Sequence, residues 1–429
     1  MKSLASFKLH AALVNLATVS SRFSLGAVLA FLPLLVAHYF GNELAKNVAL
    51  AINLSSYSSW LALGGYSTVM RDFRLAKNAA DISSLNNVYR RLASMQCVGA
   101  IILTTVIATI FVLLSKPYYL KYSSFVLSLI FGTIVQCSSF WLNLVLGRSY
   151  SKNKFIGVGL NVSILRFTAV IVVIFGSYLS NELESILIVT SVIFILSSII
   201  LYRFSTSTIN LPINTDIQNN KQLKVLFIES IIYFKWSLFA TAVFLLPVSA
   251  IAAIAPNLLL PATVAFFLAG ANQNLVAAII TPRANSLLDG IGSLKILKSY
   301  YHYTINITLI VTLIMLLMTW LIGYFVNSHF KLENYYSYLY LSMALVAVSG
   351  VRALTLASTQ AAITLKMERL VMLSPLLESA VSILGIAVCW YLNKGSWIVG
   401  VFLLAVVVIL IVTISIESAQ ISNNWKRMP

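Results

Sequence analysis

Charge is what this sequence has least of. Of its 429 residues, 12 are acidic and 29 basic, so only 10% carry charge, against about 25% in a typical soluble domain. That is too little to cover the outside of a water-soluble globule of this length, which excludes a soluble enzyme and a disordered tail protein. Cysteine is nearly absent too. Cys97, Cys137 and Cys389 each lie inside an apolar run, which excludes a disulfide scaffold and leaves them as packing residues. The four histidines (His10, His38, His302, His329) show no metal-ligand spacing. No Walker-type phosphate loop occurs, which argues against ATP hydrolysis. No loop is long enough to fold as a catalytic domain, and no paired acidic residues are visible, which argues against a membrane-embedded polymerase or ligase.

What the chain does have is apolar length. The hydrophobic set makes up 59% of it, and the mean hydropathy is +0.91. About 20 mostly apolar residues cross a bilayer as a helix. Twelve such runs are found, near 14–37, 48–70, 92–115, 123–147, 155–179, 184–203, 226–250, 258–281, 303–326, 335–359, 370–392 and 396–418. The expectation is an all-α polytopic membrane protein of about twelve helices. The first run has no small-residue cleavage site and reads as a retained helix. The second is diluted by Ser55, Ser56, Ser58 and Ser59, and the seventh contains Glu229 and Lys235.

The net charge of +17 is spread over short loops, unlike the clustered basic face of a nucleic-acid binder. With twelve spans, one set of loops and tails holds 20 of the 29 cations and the other set 5, while Arg22, Arg166, Lys235 and Arg352 fall within spans. The positive-inside rule then puts the first set, and both termini, in the cytoplasm. Tyr118, Tyr119, Tyr122, Tyr335, Tyr336 and Tyr338 flank the opposite side, as interfacial aromatic rings do. The stretch 204–225 is rich in Ser, Thr and Asn, the chemistry of a linker. It separates residues 1–203, with six spans, from residues 226–429, with six more and a short tail.

The two halves look like a repeat. Arg71 ends span two and Arg283 ends span eight, 212 residues later. The same shift takes Tyr89 to Tyr301 and Lys154 to Lys366, and shifts of 213 and 214 take Arg22 to Lys235 and Pro33 to Pro247. Six spans per half give both halves the same orientation, so a pseudo-two-fold axis runs along the membrane normal. Proteins built this way carry substrate between the halves and rock one against the other.

Ionisable residues within spans are expensive and avoid lipid. Arg22 shares a helical face with Asn15, Thr18 and Gly26. Arg166 lies with Gly159 and Ser163, Arg352 with Ser349, Thr355 and Thr359, and Glu378 with Ser374 and Ser382. Two readings stand. In one, Glu378 pairs with Arg352 and locks neighbouring spans, while Arg22 and Lys235 snorkel to the interface. In the other, the surplus of cations lines a cavity for an anionic head group such as a diphosphate, which guanidinium forks match, and Glu378 binds a coupling proton or sodium ion. Span two offers Ser59 and Trp60, and span eight offers Asn272 and Asn274. Such hydroxyl, amide and aromatic groups suit sugars, or else bond between helices. Pro33 and Pro247 are expected to kink spans one and seven, as gates or as static bends.

Pro33 followed by Gly41, Arg71 ending span two, Pro282–Arg283 ending span eight, and the Gly147–Arg148 to Lys154 loop entering span five carry a resemblance over essentially the whole chain. It resembles the Wzx-type O-antigen flippases, of the polysaccharide branch of the multidrug/oligosaccharidyl-lipid/polysaccharide (MOP) exporter superfamily. The resemblance implies a MATE-like fold. It also implies transport of an undecaprenyl-diphosphate-linked oligosaccharide from the cytoplasmic to the periplasmic leaflet of a bacterial inner membrane. Alternating access would use a cationic cavity lined by spans one, two, seven and eight. Arg22 and Lys235 would then be cavity cations, Asn15, Ser59, Trp60, Asn272 and Asn274 substrate contacts, and Arg71, Arg283, Pro33 and Pro247 gating or entrance residues. Arg166, Arg352 and Glu378 lie in spans farther from the cavity. No cofactor is implied, but coupling to H+ or Na+ is. A polysaccharide polymerase and a chain-length regulator are implied as partners, and nucleic acid is not. Flippases for capsule or enterobacterial common antigen, and small-molecule or multidrug exporters of the same superfamily, are the alternatives. The latter need cavity carboxylates for cationic substrates.

Overall fold

The structure, a computed structural model, describes residues 32–62, 65–76, 79–115, 120–152, 155–179, 182–206, 245–289, 293–330, 335–364 and 373–392, with scattered positions outside them. Every regular element among these is helical. They are α1 (32–40), α2 (Asn42–Ser56), α3 (Gly65–Leu75), α4 (Ala79–Ser115), α5 (Tyr122–Ser151), α6 (Phe155–Leu179), α7 (Leu183–Thr206), α8 (Leu245–Ile254), α9 (Leu259–Asp289), α10 (Leu294–Phe330), α11 (Tyr335–Ala353), α12 (Thr355–Thr364) and α13 (Leu373–Tyr391). Seven candidate membrane spans are found among the described residues, with α8 and Pro375–Cys389 as shorter apolar helices. Large apolar side chains are exposed on outer helix faces, Ile101, Ile102 and Leu113 on α4 and Leu309, Leu313 and Leu317 on α10. That is the surface of an all-α polytopic membrane protein, whose outside is solvated by lipid rather than water.

Among the helices before residue 206, α2, α3, α4, α6 and α7 touch α5; among those after 245, α10, α11 and α12 touch α9. The two groups join where α2 meets α9 and where α3 meets α12. The largest buried apolar cluster runs across the first junction, from Val36, Ile52, Leu54 and Phe131 to Ile251, Leu259, Ala265 and Phe266. The repeat is visible in the element lengths. α4 and α10 have 37 residues each, and the 30 residues of α5 correspond to Tyr335–Thr364, divided there into α11 and α12.

Two expected spans are broken. The run 48–70 is α2, a 3-10 turn at Tyr57–Ala62, and α3. Its serines account for the break. Ser55 and Ser56 both donate to the Ile52 carbonyl, and Ser58 donates to that of Ser55, back-bonding that competes with the helix ladder. Gln96 Nε2 on α4 donates to the Leu61 carbonyl at 2.6 Å, which satisfies an acceptor freed by the turn. The run 335–359 breaks at Leu354, whose N–H bonds to the Val351 carbonyl. Close approach fixes the rest of α2. A Cβ on Gly132 of α5 would lie 2.1 Å from Ser55 Oγ, so only glycine lets these helices meet. Gly41, at φ +93°, turns the chain between α1 and α2, a left-handed conformation other residues seldom adopt.

Candidate functional site

The seam between the two helix groups carries a polar relay. Ser249 Oγ on α8 donates to Asn53 Oδ1 on α2 at 2.7 Å. A serine hydroxyl has one proton to give, so the 2.9 Å contact between Tyr57 and Ser249 has Tyr57 as donor. The chain Tyr57–Ser249–Asn53 thus crosses from one group to the other. Tyr57 and Asn53 are both buried. Trp60 stands edge-on to Tyr57, with centroids 5.0 Å apart at 87°. Its indole Nε1 is buried with no hydrogen-bond partner among the described residues. A buried N–H left in that state costs free energy until an acceptor arrives. Ser59 is half-buried beside it.

The remaining predicted positions divide by place. Asn15, Arg22 and Lys235 lie outside the described residues. Pro33 and Pro247 are buried in α1 and α8, and the turns before them, where a proline kink would fall, are also outside the described residues. Asn272 is fully buried on α9. Its amide nitrogen, with two protons to give, has three acceptors in reach, Ser349 Oγ (2.9 Å), the Val346 carbonyl (3.2 Å) and Thr312 Oγ1 (3.2 Å), so it ties α9 to its neighbours α10 and α11. Asn274, two residues on, is exposed. Arg166 is buried on α6. Arg352 and Glu378 are brought together, with Nε 3.1 Å from Oε2, and Glu378 is 1% exposed.

At the cation-rich end, Arg71 is buried and its Nε donates to Asp72 Oδ1 at 2.8 Å. Asp72 Oδ2 also accepts from the Tyr89 hydroxyl. Arg283, its counterpart in the repeat, is exposed and lies over the Tyr303 ring, 3.6 Å from its centroid. Sequence reading missed Asn53 and Ser249. Ser249 sits two residues after Pro247 in an apolar run, and nothing local marks it as a partner of residues almost 200 positions away.

These features define a helical membrane-protein fold with a polar seam between two helix groups. No family model matches the sequence, and no curated protein matches it. Solved structures do share the fold. A eukaryotic MATE transporter is 14% identical with a TM-score of 0.68, covering 97% of each chain. The outward-facing form of a multidrug resistance MATE family transporter of the MOP superfamily is 13% identical, at 0.66 and 97% of each chain. The lipid II flippase MurJ, in an inward closed conformation, is 16% identical, at 0.62, covering 96% of this chain and 90% of that one. The MATE-like fold is therefore established, and the solved proteins that carry it are transporters and flippases.

Proposed function

We propose that this chain is a flippase for a lipid-linked oligosaccharide. It moves an undecaprenyl-diphosphate-linked repeat unit, such as that of O-antigen, from the cytoplasmic to the periplasmic leaflet of a bacterial inner membrane, with both termini cytoplasmic. The observation that carries this reading is the chemistry of the seam. Its described polar groups are an amide, two hydroxyls and an indole (Asn53, Ser249, Tyr57, Trp60), and no described carboxylate stands among them. Neutral donors and acceptors beside an aromatic ring suit a sugar. An exporter of organic cations needs negative charge there. Glu378, the mid-span carboxylate among the described residues, is held by Arg352 instead.

In this reading Arg22 and Lys235 take the diphosphate, assisted by Asn15. Ser59, Trp60 and Asn274 contact sugar, and the lipid tail stays in the bilayer. An H+ or Na+ gradient drives the cycle, and a polymerase and a chain-length regulator act on the product. The multidrug-exporter reading keeps one support, the fold shared with a multidrug resistance transporter. Capsule or enterobacterial common antigen units are substrates of the same chemistry.

The test is lipid extraction from a deletion strain, with surface polysaccharide assayed in parallel. The expected result is loss of surface polymer and accumulation of single repeat units on undecaprenyl diphosphate. The sugar is then read by mass spectrometry. Unchanged polymer with no accumulated intermediate, in a strain without a second flippase, refutes the proposal and favours the exporter.

A further inference from the structure

The two halves have diverged in charge at the cation-rich end. In the first half Arg71, Asp72 and Tyr89 form a closed knot, and Arg71 is 3% exposed. The positions 212 residues on are Arg283, Ala284 and Tyr301. With alanine in place of the carboxylate, Tyr301 donates elsewhere, to Ser358 Oγ on α12 at 3.2 Å. Arg283 rests on Tyr303. Beside it a pocket of about 420 Å³ opens between the end of α9 and the first two turns of α10, lined by Arg283, Lys295, Ile296, Ser299 and Tyr300. The described lining holds two cations, hydroxyl groups and no carboxylate.

We propose that this pocket binds the phosphate of a lipid headgroup. A guanidinium is a planar fork of N–H donors, which is the geometry of bidentate phosphate capture. Lys295 adds a point charge and Ser299 a hydroxyl donor. Ile296 gives an apolar wall on which the start of a lipid chain can lie. The volume falls in the range of ligand pockets, about 300–1,000 Å³. Basic pockets between membrane helices at the cytoplasmic face are the kind that take phospholipid headgroups, and this end is cytoplasmic in the orientation proposed above. In the first half the equivalent cation, Arg71, is buried against Asp72 instead. The site does not depend on which substrate is transported, because headgroup capture is measured without transport. Its phosphate has two sources, a bulk anionic phospholipid or the diphosphate of a lipid-linked substrate.

The experiment is native mass spectrometry of the purified full-length chain, titrated separately with phosphatidylglycerol and with undecaprenyl diphosphate. Wild type is expected to retain at least one of them. Arg283→Gln and Lys295→Gln are each expected to weaken retention about tenfold, as befits loss of one charge-assisted contact. Ala284→Asp removes no cation but restores the carboxylate of the first half, and is expected to weaken retention comparably. Equal retention of the two lipids assigns the site to surface phospholipid; preference for undecaprenyl diphosphate assigns it to a substrate headgroup. Retention of neither, or unchanged retention in all three variants, overturns the proposal. Lys295 is exposed, so its variant keeps the test decisive if the others fail to fold.

Discussion

Replacing Glu378 by Gln is expected to unfold the second helix group before it touches transport. Glu378 on α13 is 1% exposed and Arg352 on α11 is 8% exposed, with the charged atoms 3.1 Å apart. Removing the carboxylate leaves the guanidinium buried without its counter-ion. Breaking one side of a buried pair costs about 3–5 kcal/mol, a large share of the roughly 5–15 kcal/mol that holds a domain together. Abundance and thermal midpoint, read by fluorescence-detected size exclusion in detergent, should both fall. Two companions separate a lock from a functional carboxylate. Exchanging the partners, Arg352→Glu with Glu378→Arg, should recover part of the loss. Replacing both, Arg352→Met with Glu378→Leu, should recover most of it, because an apolar pair of similar volume avoids the desolvation of two charges. If Glu378→Gln matches wild type in stability yet abolishes transport, the structural account is wrong and the residue belongs to the transport cycle.

Three further outcomes follow from the packing. Gly132→Leu should abolish accumulation of folded protein, since even a Cβ there meets Ser55 Oγ at 2.1 Å; wild-type abundance would show that α2 and α5 can part at no cost. Asn272→Leu should cost roughly 1 kcal/mol, two helix-to-helix bonds at about 0.6 kcal/mol each, read as a lower thermal midpoint; an unchanged midpoint would mean that the amide does not tie α9 to α10 and α11. Cysteines at Asn53 and Ser249, whose side chains now meet at 2.7 Å, should be bridged by a short bis-methanethiosulfonate, which forms a disulfide with each thiol and releases sulfinate, and so stop transport until reduced; transport that continues in the bridged protein would show that the seam does not open there.

Membrane character and repeat were legible because both are written in one dimension. Apolar runs of helix length, loops biased in cations and residues spaced by 212 need no knowledge of contacts. The Arg352–Glu378 pair was legible too, because two opposite charges inside neighbouring spans have few ways of avoiding the cost of burial. The seam was not. Ser249 gains its meaning from Asn53 and Tyr57 across 196 and 192 residues, and a single serine in an apolar run carries no mark of that. Asn272 was read as a sugar contact or an interhelical tie, and only its three acceptors on α10 and α11 show where the amide goes. The break at Tyr57 was half-visible. The serine cluster announced polarity, but the turn depends on back-bonding to Ile52 and on an acceptor met by Gln96.

The length of α4 and α10 sets how far the protein stands out of the bilayer. Thirty-seven residues rise about 55 Å as a helix, while the hydrocarbon layer is about 30 Å thick. Lys295 and Lys298 lie at the start of α10, and Arg90 and Arg91 about three turns into α4, so both helices carry cations toward their N-terminal ends. Two posts then rise through the headgroup layer and into water beyond it. In the proposed flippase, a hydrophilic head carried on a lipid would meet such a post while still hydrated. It would shed its water gradually along a protein wall, rather than all at once at the edge of the oil.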